Sequence, residues 1–117
     1  MNKQQLVTRR QAIKLKQLGF HDKTCACLIM AKDYQWIIFG YPSDANKVKQ
    51  KQMDGKVVHP FVSFPTVYEA VDWFERKLPA SVFYDTALNI SFNHRCKNKF
   101  ATYRKIINAL IKEYEKH

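Results

Sequence analysis

Glycine is scarce in this 117-residue chain, with three residues, and cysteine and proline are nearly so, with three and four. So little glycine leaves no GxGxxG or GxxxxGK loop to cradle a phosphate, and neither an HExxH helix nor a GxSxG elbow is present. Three cysteines is an odd number, and Cys25 and Cys27 stand too close along one extended stretch to bridge each other comfortably, so no disulfide framework is written and the thiols are expected to be reduced. No run approaches the roughly 20 apolar residues that span a bilayer. The first twenty residues mix charge with apolar positions instead of forming a signal-peptide core, which leads to the expectation of a cytoplasmic protein with no membrane partner. Repeats, low-complexity tracts and inter-domain linkers are missing too. At this length, with 46% apolar residues, a single domain over 1–117 with a modest core is expected.

Acid is the remaining scarcity. Ten Asp and Glu face 20 Lys and Arg, for a formal charge of +10. A field of that sign draws polyanions and speeds their encounter without specifying a fold. Nucleic acid is the natural candidate partner, against the plainer reading of a solvated lysine surface.

What is present begins with local folding signals. Thr66 and Glu69 form a Thr-x-x-Glu capping box. Behind it Val67, Ala70, Val71, Phe74 and Leu78 recur at the spacing of one helical stripe, and Pro79 closes the element. Thr8 and Gln11, with Val7 as staple, offer a second box for a helix from about Arg9 to Leu18, whose inward face is Ala12, Leu15 and Leu18. Gly19 and Phe20 read as its left-handed cap. The segments 25–31 and 36–41 read as a strand hairpin stopped by Pro42, and 61–64 as a short edge strand confined by Pro60 and Pro65. Residues 43–59 lose periodicity and read as a long basic loop. Weak alternation over Ala80 to Phe92 reads as two further strands. Thr102 is the cap candidate for a last helix, along which Tyr103, Ile106, Ile107, Leu110, Ile111 and Tyr114 keep an apolar stripe. The expected class is α+β, a small and mostly antiparallel sheet covered by three amphipathic helices.

Several of these residues carry a resemblance. Val7-Thr8 with Ala12, Leu15 and Gly19-Phe20, Pro65-Thr66 followed by Asp72 to Lys77, and Phe100-Ala101-Thr102-Tyr103 opening a last helix resemble small proteins of bacterial prophages and other mobile elements of gut anaerobes. The resemblance implies an accessory protein of a mobile element. No activity is established for such families, so no catalytic residue is carried over.

Candidate sites are few. Zinc would accept His21, Cys25 and Cys27 with the distant His94 and Cys96, but a Cys-x-Cys with a remote His-x-Cys is not the spacing of a zinc module, and no metal or cofactor is assigned. Glu69, Asp72 and Glu75 look like an acid cluster, yet Glu69 is explained by capping and the other two lie off the apolar stripe. A Cys96–His94 nucleophile pair lacks an orienting third group. No enzyme is expected.

Charge is the stronger signal. Arg95, Lys97, Lys99, Arg104 and Lys105 crowd one stretch without an acid, interleaved with His94, Phe100 and Tyr103, as suits a backbone groove with stacking positions. For Phe100 and Tyr103 themselves a core role is the favoured reading. Arg9, Arg10 and Lys14 on the first helix, and Lys47, Lys49 and Lys51 in the loop, would extend the surface. The expected function is a non-enzymatic, basic binding module contacting nucleic-acid backbone. The alternative is a protein-interaction or inhibitor module acting on a host or phage protein, with Trp36, Tyr41 or Trp73 as anchors.

Overall fold

Two capping boxes and one glycine turn decide where the first helices begin and end. The computed structural model describes residues 3–30, 35–47, 52–53, 56–57 and 61–117. Helix α1 runs Arg9–Leu18. At its start the Thr8 hydroxyl accepts from the Gln11 N–H at 3.1 Å, and the Gln11 side-chain oxygen accepts from the Thr8 N–H at 2.9 Å. At its end Gly19 takes φ +97°, a left-handed conformation that costs glycine nothing. The Gly19 N–H reaches the Lys16 carbonyl at 3.2 Å and the Phe20 N–H reaches that of Leu15 at 2.9 Å, the paired bonds of a Schellman cap. Leu15 and Phe20 are both fully buried, as that cap favours.

Helix α2 spans Val67–Lys77 with the Thr66 box complete: Glu69 N–H to the Thr66 hydroxyl at 3.1 Å, and Thr66 N–H to the Glu69 carboxylate at 2.8 Å. Leu78 is extended, so the helix stops before Pro79 as expected. Thr66→Ala removes one of these bonds and is expected to lower the unfolding free energy by about 1 kcal/mol, with Thr66→Ser restoring most of it. Urea titration of the three proteins measures this, and an unchanged midpoint for the alanine variant would show the cap to be idle.

The buried face of α2 is Val67, Ala70, Trp73 and Phe74. Trp73, 2% exposed, is therefore core and not the interface anchor suggested by its sequence position.

Ala80 to Asn93 is one helix, α3, and not two strands. Val82, Phe83, Thr86, Ala87, Ile90 and Ser91 are buried or half-buried while 80–81, 84–85, 88–89 and 92–93 are exposed, which is a 3.6-residue period. Leu88, Ile90 and Phe92 alternate with polar residues in sequence, yet on the helix Leu88 and Phe92 face outward and Ile90 is half-buried. Pro79, which ends α2, also starts α3: its carbonyl accepts the Phe83 N–H at 3.0 Å, and its own missing N–H would have had no helical partner there.

Helix α4 spans Lys99–Lys116 and begins four residues earlier than a cap at Thr102 would set it. Asn98 is the cap, accepting from the Phe100 N–H at 2.8 Å, while the Thr102 hydroxyl lies inside the helix and accepts from the Cys96 N–H at 2.9 Å. Its inward stripe is as expected, with Ile106, Ile107, Leu110 and Ile111 buried.

Strands β1 (Thr24–Met30), β2 (Gln35–Ser43), β3 (Gln52–Met53), β4 (Lys56–Val57) and β5 (Phe61–Ser63) are all paired antiparallel, in a sheet of order β2-β1-β5 and a separate β3–β4 ribbon. Thr24, Ala26 and Leu28 form the buried face of β1, so Cys25 and Cys27 share the other. Pro42 does not stop β2. It falls where the β1 register shifts between Thr24 and Ala26, on an edge strand, where a missing N–H is tolerated.

The stretch 43–59 is not simply a loop. It holds the end of β2, a 3-10 turn at Ala45–Lys47 and the β3–β4 ribbon. Asn46 clamps that turn: its amide nitrogen donates to the Phe20 carbonyl at 2.8 Å, and its amide oxygen accepts from the Ser63 N–H at 2.9 Å.

The chain divides into two compact units, residues 1–11 with 66–117, and residues 12–65. In the first, α2, α3 and α4 pack on one another. Its N-terminal segment is pinned by a bridge between Leu6 and Thr66 and by Gln11, whose amide nitrogen donates to the Arg104 carbonyl at 2.8 Å and to Asn108 at 2.9 Å. In the second lies the three-stranded sheet, tied to α1 by the Lys16 ammonium on the Phe61 carbonyl at 2.8 Å. The α+β class holds, with four α-helices among the described residues where three were expected.

Candidate nucleic-acid interface

Between the last turn of α3 and the first turns of α4 the chain makes a short basic turn held by its own backbone. The His94 N–H caps α3 on the Ile90 carbonyl at 2.9 Å, Asn98 caps α4, and Thr102 holds the Cys96 N–H between them. Arg95, Lys97 and Lys99 project from this turn, all exposed. Beside it lies a groove of about 310 Å³, lined by Phe92, Arg95, Lys99, Thr102, Tyr103 and Ile106 with Ser91. A second, more open depression of about 300 Å³ is lined by Ile90, His94, Lys105, Asn108, Ala109 and Lys112, on another face of α4. Neither lining includes an acid. The reason is in the sequence: residues 86–112 contain six basic residues and no Asp or Glu.

The aromatics of this region divide by role. Phe100 and Tyr103 are half-buried and pack edge-on against Tyr68, itself 42% exposed, with ring centroids 6.1 and 5.2 Å apart, so they join the start of α4 to α2 at the surface and not in the core. Phe92 differs in exposure: it stands 81% exposed at the end of α3, on the groove that Tyr103 also lines. A strand-like reading of 80–92 hides it, although the helical period of 82–91 places it outward. Lys112 stands two turns from Lys105 on the same face of α4, and the packing of α3 on α4 sets both beside Ile90 and His94.

The other basic candidates are placed variously. Arg104 is spent on structure: its Nε donates to the Leu6 carbonyl at 3.1 Å and its Nη2 to the carbonyls of Leu6 and Gln4, fastening the N-terminal segment to α4. A guanidinium so engaged is withdrawn from phosphate. Arg9 and Arg10 are exposed on the first turn of α1. Lys14 is half-buried and Lys47 exposed, both in the unit formed by 12–65. Lys49 and Lys51 lie outside the described residues.

Remaining chemistry is accounted for by ordinary contacts. Asp72 pairs with Arg76 at 3.1 Å, and Glu75 accepts from the Tyr84 hydroxyl at 3.4 Å. His21 sits 3.1 Å from Asp44, and among the described residues no three His, Cys, Asp or Glu side chains gather as metal ligands would. Cys25, Cys27 and Cys96 are unbridged. Burial pushes the Cys27 thiol above its ordinary value, opposed by the Val62 backbone and Lys16, so Cys27 is a poor nucleophile near neutral pH. Cys96 Sγ approaches the His94 carbonyl at 3.9 Å. Among the described residues no helix is long and apolar enough to cross a membrane.

Compared with protein-family models, curated proteins and solved structures, the chain matches none of them.

Proposed function

We propose that this chain is a non-enzymatic binding module that grips nucleic-acid backbone through the basic turn between α3 and α4, as a cytoplasmic accessory protein of a phage or other mobile element. One observation carries the reading: the groove beside that turn combines Arg95 and Lys99 with an exposed aromatic and has no acid in its lining. Lysine and arginine neutralise phosphates and release condensed counterions, a driving force that ignores sequence. Little sequence preference is therefore expected.

Salt tests the reading. Fluorescence anisotropy with labelled single- and double-stranded oligonucleotides should show binding at low ionic strength that weakens steeply as salt rises. No binding at low ionic strength would remove nucleic acid as the partner, and binding indifferent to salt would remove the backbone grip.

A second reading, a protein-interaction module, is favoured by one feature of the other unit. Gln35–Ser43 is an uncharged edge strand on which Trp36 is 40%, Ile38 48%, Phe39 41% and Tyr41 95% exposed. A protein partner held on that strand by apolar burial and ladder bonds would stay bound as salt rises, where an oligonucleotide held by its phosphates would be released.

A further inference from the structure

We infer that the groove selects single-stranded over double-stranded nucleic acid by stacking one unpaired base on Phe92 while Arg95 and Lys99 hold the adjoining phosphates, an inference that rests on the nucleic-acid reading above. Phe92 is the starting point, because the fold does not use it. It is 81% exposed, and its neighbours one and two turns back on the same line of α3, Leu88 and Tyr84, are 51% and 50% exposed. Helical rise separates these three positions by about 6 Å per step. They are not equivalent. The Tyr84 end carries Asp85 and is hydrogen-bonded to Glu75, so phosphate is repelled there. The Phe92 end opens into a groove lined by Arg95 and Lys99, with Lys97 in the same turn. Charge therefore directs a polyanion to Phe92 and away from Tyr84.

The ring then discriminates between strands. In a duplex both faces of each base are covered by stacking neighbours, and a phenyl ring beside the backbone gains nothing. In a single strand a base can turn out and lay its face on the ring without preference for its identity. The turn that carries the cations is braced by the Cys96–Thr102 and Asn98–Phe100 hydrogen bonds, which keeps phosphate and base positions in register. A stack of this kind is worth about five- to hundredfold in single-strand affinity.

The test uses single- and double-stranded oligonucleotides of equal length at one low salt concentration, with Phe92→Ala, Phe92→Trp and Arg95→Gln/Lys99→Gln proteins. Wild type should bind the single strand more tightly. F92A should weaken about five- to hundredfold on the single strand and not at all on the duplex, with its salt dependence intact, and F92W should recover the affinity. Circular dichroism checks that F92A stays folded, as expected for so exposed a residue. Equal affinity for the two forms, or an F92A protein as tight as wild type while the R95Q/K99Q protein fails, would overturn stacking and leave the backbone reading standing. Equal weakening of F92A on both forms would also overturn it, and failure of wild type to bind either form overturns both readings.

Discussion

Phe74→Ala is expected to lower the unfolding free energy by about 3 to 5 kcal/mol, the usual cost of emptying a buried aromatic site. Phe74 is fully buried on α2, with its ring 5.0 Å from that of Trp73 and 6.2 Å from that of Tyr114 on α4. Alanine would abolish both edge-on ring pairings and leave a cavity between two helices that close-packed neighbours cannot fill. Against a typical stability of about 5 to 15 kcal/mol, that is a large share. Urea unfolding followed by tryptophan fluorescence suits the measurement, because Trp73 reports from within the same cluster. A decrease below about 1 kcal/mol would mean that this site relaxes freely. Binding should decline only in proportion to the unfolded fraction; a fully stable F74A protein unable to bind oligonucleotide would contradict the separation of core helix from basic turn.

The second large effect belongs to the turn. Replacing Arg95, Lys97 and Lys99 together with glutamine should weaken oligonucleotide binding at low salt by at least about tenfold and flatten the dependence of log affinity on log salt by about 2 for a single strand and nearly 3 for a duplex. These slopes are what three phosphates left without a neutralising cation would give. All three side chains are exposed, and Lys99 lies over the Phe100 ring at 5.2 Å, an exposed cation–π pair of small worth, so stability should change little. Arg9→Gln with Arg10→Gln is the control on α1. If that pair abolished binding while the triple substitution left it unchanged, the phosphates would be held by α1. Arg104→Gln should behave unlike either: it releases the carbonyls of Gln4 and Leu6 and should register as reduced stability.

Local sequence sets the ends of α1 and α2, because a capping box or a glycine turn is complete within three to five residues. Thr8 with Gln11, Gly19 with Phe20, and Thr66 with Glu69 find their partners locally whatever the remainder of the chain does. It determined equally the absence of acid across 86–112, which no folding can alter. The inward stripe of α4 and the pairing of β1 with β2 were legible as well, from period and composition, whereas the course of 80–93 was not. Val, Phe, Tyr, Thr, Ile, Asn and Ser in 80–93 have middling helix propensity, and packing against α4 makes the segment helical. That one outcome turns Phe92 outward into the groove. It takes a hydrogen bond across some hundred residues to withdraw Arg104 from the basic surface, and the pairing of α2 with α4 to bury Trp73 against Tyr114, 5.3 Å away. The candidate interface is thus basic by composition, while the residue proposed to select its ligand owes its position to how α3 lies on α4.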